Sequence, residues 1–295
     1  AATLERHASL AALAIGLVFG AVGQRSGFCL LSGLRQRWLQ GDGRMARSFA
    51  LAVAVAVIGS QSAAAAGLID LGESIYLQPT FSWLLFLGGG ILFGYGMVMA
   101  NACGARALVL LGGGNLRTVL VLLLLGIAGQ MTLTGLLAPL RLTLDEMTQI
   151  ILPLSAPTLD GLFAAAGLSA GTARWAATGL LAGGLLLFAA GDREFRCSPR
   201  HWFGGLLIGL LVPAGWLVTG LLGADDFEPV RLASITFVAP IGETIQYVMF
   251  STGISLGFGV ALALGVVLGS FAAAVAVGGF KLQGFDSPLR MVRYG

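Results

Sequence analysis

Uninterrupted apolar stretches constrain this chain more than any other feature. Runs without a charged residue cover 48–69, 74–105, 118–140, 202–224 and 244–280, with shorter ones at 8–24, 26–34, 147–159, 161–173 and 175–191. A helix needs ~20 apolar residues to cross a bilayer, and in lipid each backbone polar group must be satisfied internally, which a helix achieves. The chain is 57% hydrophobic and 11% charged, against ~25% charged in soluble domains. The expectation is an all-α polytopic membrane protein, one integral membrane domain over 1–295. Run 244–280 exceeds a single crossing, and Gly253, Gly257 and Gly259 are natural places to break it. The opening AATLERHASL carries no convincing secretory signal pattern, so the first apolar segment is expected to stay in the membrane.

The loops set the orientation. Segments 35–47, 106–117, 192–201 and 281–293 are basic, through Arg35, Arg37, Arg44, Arg47, Arg106, Arg117, Arg193, Arg196, Arg200, Lys281, Arg290 and Arg293. Between them, 69–81, 141–160 and 225–231 are predominantly acidic. Lys and Arg are retained on the cytoplasmic side, so the basic loops are expected to be cytoplasmic in a bacterial inner membrane. This alternation makes 147–173 return to the outer side. It leaves one crossing after 231, at 254–280, so 233–252 reads as re-entrant or tilted. Broken segments at membrane depth are tolerated where they are buried or line a cavity, which points to a pathway or pocket.

Two stretches match each other. GLVFGAVGQRSGFC (16–29) and GILFGYGMVMANAC (90–103) share G-x-x-F-G, eight residues, then Cys, and an arginine follows each, Arg35 or Arg106. A fainter third copy, GLLIG at 205–209, has Val218 where the cysteine would fall. The loop charges run the first two copies outward to inward and the third the other way. The expectation is two related, inverted halves, 1–140 and 141–295, with re-entrant short helices; transporters of that design bind substrate at broken segments near the midplane.

The matched positions raise Cys29 and Cys103 above the ordinary reading of a lone cysteine as a small inert hydrophobe. A thiol in an apolar setting stays protonated and is a weak hydrogen-bond donor. It suits a soft, polarizable anion without adding negative charge. NACGARAL reads as the start of a short helix with Asn101 near its cap, and a helix N-terminus facing a cavity favours anions. Arg25 either faces a cavity or lies at the membrane edge and snorkels to water. In FVAPIGETIQYV (237–248), Glu243, Thr244 and Gln246 either line the route, or Glu243 caps a helix or pairs with Arg231 at the outer interface. The candidate substrate-contacting residues are therefore Cys29, Cys103, Arg25, Asn101, Glu243 and Gln246. Cys197, in the loop GDREFRCSPRHW, matches nothing in the repeat and reads as a plain loop thiol.

Several classes are set aside. There is no C-x-x-C pair or Cys/His cluster, so neither a zinc site nor a disulfide framework is expected. LLGGGNLRT lacks the G-K-[ST] ending of a phosphate-cradling loop and reads as a tight turn with Asn115 as a cap. No basic stripe points to nucleic acid. No cofactor is expected. Gly-x-x-x-Gly spacings let helices approach closely.

SGFCLLSGLR (26–35), LFGYGMVMANACGARAL (92–108), GGGNLR (112–117), TFVAPIGET (236–244) and FKLQGFDSPLRMVRYG (280–295) together resemble the YeeE/YedE family of bacterial inner-membrane proteins over nearly the whole chain. The resemblance implies uptake of sulfur-containing compounds, thiosulfate best understood among them, with the anion passing along cysteine thiols by transient S–H···S bonding. It carries that role onto Cys29 and Cys103, and implies a small TusA-like cytoplasmic sulfurtransferase as partner. It also leads one to expect a further Gly-rich helix with another Gly-Cys motif after Gly295. The alternative is a membrane thiol enzyme handling persulfide with Cys103 as nucleophile, though no base accompanies that cysteine in the sequence.

Overall fold

Glycines and one asparagine in the left-handed backbone region cut the apolar runs into long and short helices. The computed structural model describes residues 2–74, 80–151, 158–222, 232–253 and 255–284. In chain order they form α1 (Ala2–Ser26), α2 (Leu30–Gln40), α3 (Arg44–Ala65), β1 (Thr80–Ser82), α4 (Trp83–Met99), α5 (Gly104–Gly112), α6 (Arg117–Leu133), α7 (Ala138–Thr148), β2 (Gln149–Ile151), α8 (Leu159–Ala165), α9 (Ala170–Ala190), α10 (Arg193–Arg196), α11 (Pro199–Leu217), α12 (Val238–Phe250) and α13 (Phe258–Ala276). Among the described residues six spans are long and apolar enough to cross a membrane. The α6–α7 pair, bent by 59°, makes a seventh if it counts as one span. The protein is an all-α polytopic membrane protein, as expected.

The two matched stretches fold alike. Each is a long helix, a short break, and a short helix whose N-cap is the cysteine: α1 to Cys29 to α2, and α4 to Cys103 to α5. Two residues before each cysteine the backbone turns left-handed, at Gly27 (φ 71°) and Asn101 (φ 53°). Glycine adopts this conformation freely, and asparagine more readily than most residues with a side chain. Gly41 (φ 73°) closes α2, and Gly114 (φ 97°) follows α5. The third copy behaves differently. α11 runs on into a π-helical turn at Val218–Leu222, where Thr219 Oγ donates to Gly215 O (3.1 Å) and Ala233 O (2.7 Å).

The packing around the first copy is close enough to leave no room for side chains. α1 and α13 run parallel, tied at one end by Ser9 Oγ donating to Leu256 O (2.8 Å). A Cβ on Gly20 would lie 2.1 Å from Val266 O, and one on Gly265 2.4 Å from Leu13 O. Gly20→Leu should therefore force the pair apart, costing about 3 kcal/mol, and should show as a lower unfolding temperature and loss of monodisperse protein in detergent. α3 and α11 approach in the same way, with Gly205 on Ser48 O and Gly209 on Ala52 O. The second copy has no such partner among the described residues. Gly90 and Gly94 meet nothing within 4 Å and Phe93 is 51% exposed, whereas its counterpart Phe19 is 7% exposed. The central core joins Phe19, Ala107, Val109, Leu122, Ile208, Ile241 and Val266, so α5 lies inside the bundle while α4 stands outside it.

The chain breaks between α12 and α13 at Gly253 and Gly257, while Gly259, the third predicted place, lies inside α13. The preceding α12, with 13 residues, is too short to cross, and the crossing follows as α13. Loops of like charge meet in pairs. Arg47 Nε lies 3.2 Å from Asp192 Oδ2, and Ser48 Oγ donates to His201 O (2.7 Å), joining basic segments 35–47 and 192–201. Leu116 N donates to Gln283 O (2.9 Å) and Arg117 Nε to Gly284 O (2.7 Å), joining the other two. On the acidic side β1 pairs antiparallel with β2, Phe81 opposite Ile150, and Ser82 Oγ lies 2.7 Å from Thr148 Oγ1. The acidic segment 225–231, with Arg231, lies outside the described residues, as does 285–293 of the last basic loop.

The Arg47–Asp192 pair is the main ionic clip between α3 and the α9–α10 turn. Arg47 is 13% exposed at its side chain and its guanidinium lies over the Phe188 ring at 4.7 Å. Asp192 also caps α10 by accepting from Glu194 N (3.1 Å). Asp192→Asn keeps that cap and removes only the charge. It should destabilise the protein by about 2 kcal/mol, because the largely buried Arg47 keeps its bond to Phe188 O but loses its counter-charge; chemical denaturation in detergent measures it.

Candidate functional site

The two breaks bring the two cysteines together. The Cys29 and Cys103 side chains face each other within direct interaction range. Cys29 is 4% exposed, and Cys103 is half-buried. The break before Cys29 is braced: Ser26 Oγ donates to Val22 O (2.7 Å) and accepts from Phe28 N (3.3 Å). Neither cysteine side chain makes a capping hydrogen bond to its own helix. In each copy the backbone N–H three residues on, Ser32 or Arg106, is aimed back at the cysteine sulfur. The positive ends of α2 and α5 thus converge on the thiol pair, an arrangement that favours an anion.

Arg106 completes the site. It lies on the first turn of α5, i+3 from Cys103 and on the same helix face, at the position Ser32 holds in the first copy. Its charge reaches both thiols, and one guanidinium nitrogen donates to Gly23 O of α1 (3.3 Å). Among the described residues no carboxylate lies within ion-pair distance of it. A guanidinium taken out of water without a counter-charge is costly, and an anion between the thiols would supply one. Sequence reading treats Arg106 as a loop anchor; its i+3 spacing from a repeat cysteine is the signal that identifies it.

The other candidates are placed as follows. Asn101 forms the left-handed turn before Cys103 and borders a cavity of about 60 Å³ with Asn115, Arg117 and Thr118. Cys103 itself takes the N-cap position. Glu243 is exposed on α12, its carboxylate against Gly259 in the first turn of α13. This is where helix-end charge favours a carboxylate, but no side chain makes a capping hydrogen bond to α13. Gln246 is half-buried on α12, with no hydrogen bond among the described residues. α12 reaches the site through Ile241 and Phe237, whose side chains lie beside Gly104. Arg25 is exposed on the outer side of α1, facing a groove with α13 rather than the thiols. Cys197 is exposed at the end of α10. Cys103 borders an apolar cleft of about 460 Å³ between α4 and α6, lined also by Phe93, Met97, Val121 and Leu125. Among the described residues no group of three or more His, Cys, Asp or Glu side chains could hold a metal.

Fold and site define a multi-pass membrane protein whose repeated helix breaks close on a pair of thiols near a half-buried cation. The chain belongs to the sulphur transport family, whose family model matches residues 25–295. It is 25% identical to the thiosulfate transporter TsuA of Escherichia coli (strain K12) over 94% of this chain and 78% of that protein. It is 32% identical to the probable transporter YedE of the same strain over 94 residues, 31% of this chain and 21% of YedE. YedE of Salmonella typhimurium matches over the same extent. The family resemblance expected from the cysteine motifs is borne out.

Proposed function

We propose that this protein carries thiosulfate or a related sulfur-containing anion across the bacterial inner membrane, through a pathway that passes between Cys29 and Cys103. The observation that carries this reading is the Arg106 guanidinium, without a carboxylate partner among the described residues, near two facing thiols at two converging helix N-termini. Arg106 and the helix ends offset the charge of the anion. A thiol S–H donates to the anion's soft sulfur without adding a charge that would repel it. Similarity to a thiosulfate transporter over 94% of the chain supports the substrate class. The basic loops, on the cytoplasmic side in this reading, form the docking surface for a TusA-like sulfurtransferase that receives the sulfur.

The test is uptake of labelled thiosulfate by proteoliposomes of the purified chain, with sulfate as competitor and a Cys29→Ala/Cys103→Ala protein as comparator. Thiol-dependent uptake that excess sulfate does not suppress is the expected result. Equal uptake by both proteins would remove the thiols from the pathway. The second reading, a thiol enzyme, rests on Cys103 being the more accessible of the facing thiols. Sulfane sulfur left covalently on Cys103, detected by intact mass after exposure to substrate, would favour it.

A further inference from the structure

Arg25 plays no part in the thiol site, and its surroundings give it a different use. On the last turn of α1, neighbouring residues face opposite ways. Gln24 turns inward, its amide 3.0 Å from where a Cβ on Gly113 would sit. Arg25 turns outward to the head of a groove of about 480 Å³ between α1 and α13. Below the guanidinium the groove is wholly apolar and shallow-walled, with Leu17, Val18 and Ala21 on one side and Gly269, Ala272 and Ala276 on the other. Arg25 has no ion pair or hydrogen bond among the described residues. From Leu17 to Arg25 is about 12 Å at a helical rise of ~1.5 Å per residue, enough for the upper part of an acyl chain.

We propose that this groove holds an anionic phospholipid, one acyl chain lying between α1 and α13 and its phosphate paired with Arg25. The chemistry favours that occupant over a second copy of the protein. A symmetric pairing of this face would bring Arg25 towards Arg25 with no carboxylate in the groove to separate them. A phospholipid presents a negative group and an apolar chain in the order the groove offers a cation and an apolar trough. The small residues of α13 follow from its close approach to α1, and their short side chains leave the trough open. Basic pockets between helices at the cytoplasmic end are established sites for anionic headgroups in membrane proteins generally, and the basic segment 35–47 begins ten residues after Arg25.

Native mass spectrometry of the delipidated full chain in neutral detergent tests this, with phosphatidylglycerol and phosphatidylcholine titrated separately. The wild type should prefer phosphatidylglycerol. Arg25→Gln should weaken phosphatidylglycerol about fivefold and leave phosphatidylcholine unchanged. Arg25→Lys should retain most of the preference. Ala272→Phe, which fills the groove, should weaken both lipids. Since Arg25 makes no contact that folding needs, the unfolding temperature of the lipid-free variant should match wild type. Equal binding of the two lipids by wild type would mean that Arg25 merely snorkels to water, and would overturn the proposal. So would unaltered phosphatidylglycerol binding by Arg25→Gln, competition by glycerol phosphate alone as strong as by the lipid, or loss of thiosulfate uptake in Arg25→Gln with lipid binding intact.

Discussion

Cys103→Ala is expected to slow thiosulfate entry into proteoliposomes by one to two orders of magnitude without harming the fold. The side chain makes no capping hydrogen bond, so its removal costs α5 little. A hydrogen bond to a charged group contributes ~1.5–3 kcal/mol, and ~1.4 kcal/mol is a factor of ten, which gives the expected range. Cys103→Ser is the informative partner. Serine at an N-cap turns its oxygen to the helix's own N–H groups and adds ~1 kcal/mol of stability. It should melt at or above the wild-type temperature and still transport poorly, because the hydroxyl is drawn to its own helix and lacks sulfur's softness. Cys29→Ala should behave like Cys103→Ala, and Cys197→Ala, at an exposed thiol, like wild type. Wild-type rates in both facing-cysteine variants would remove the thiols from the pathway.

Arg106→Gln should be the second severe loss, and a different kind. The guanidinium lies beside both thiols with no carboxylate partner among the described residues. Removing it therefore unburdens the empty protein of a buried charge and penalises the occupied one. The unfolding temperature should hold or rise, while the KM for thiosulfate rises about thirtyfold or more, the lower end of the ~2–5 kcal/mol lost when one partner of a buried charge pair is truncated. Arg106→Lys keeps the charge on a shorter reach and should recover part of the affinity. A fall in kcat alone, with KM unchanged, would make Arg106 a structural tie to Gly23 and not a substrate contact.

Most of the fold follows from local rules that a sequence displays. Runs of apolar residues set the crossings, and glycine positions set the breaks: Gly27 and Gly114 take left-handed turns where the chain changes direction, and the over-long run 244–280 divides after α12. The cysteine repeat is legible because matched residues impose matched backbone geometry, down to a left-handed residue two positions before each thiol. Three things are not local and were not legible. That Cys29 and Cys103 face each other depends on how α5 inserts against α1, a tertiary contact made through Gly23 and Val109. Arg106 looks like loop charge because basic residues near helix ends usually are, and only its register against Cys103 distinguishes it. Arg25 sits one residue from an inward-facing glutamine, so the rotation of α1, and not its sequence, decides which of the two meets the interior.

The unequal support of the two cysteine motifs has a mechanical consequence. α1 is clamped backbone to backbone on α13, whereas α4 leans on α7 and little else among the described residues. Segments with few buried contacts are the ones that move at low free-energy cost. Both cysteines are then held on the fixed side, Cys103 by α5 in the core, and the part free to hinge is α4, with Asn101 at the pivot. A swing of α4 would widen or close the apolar cleft in front of Cys103 and leave the thiols and Arg106 where they are.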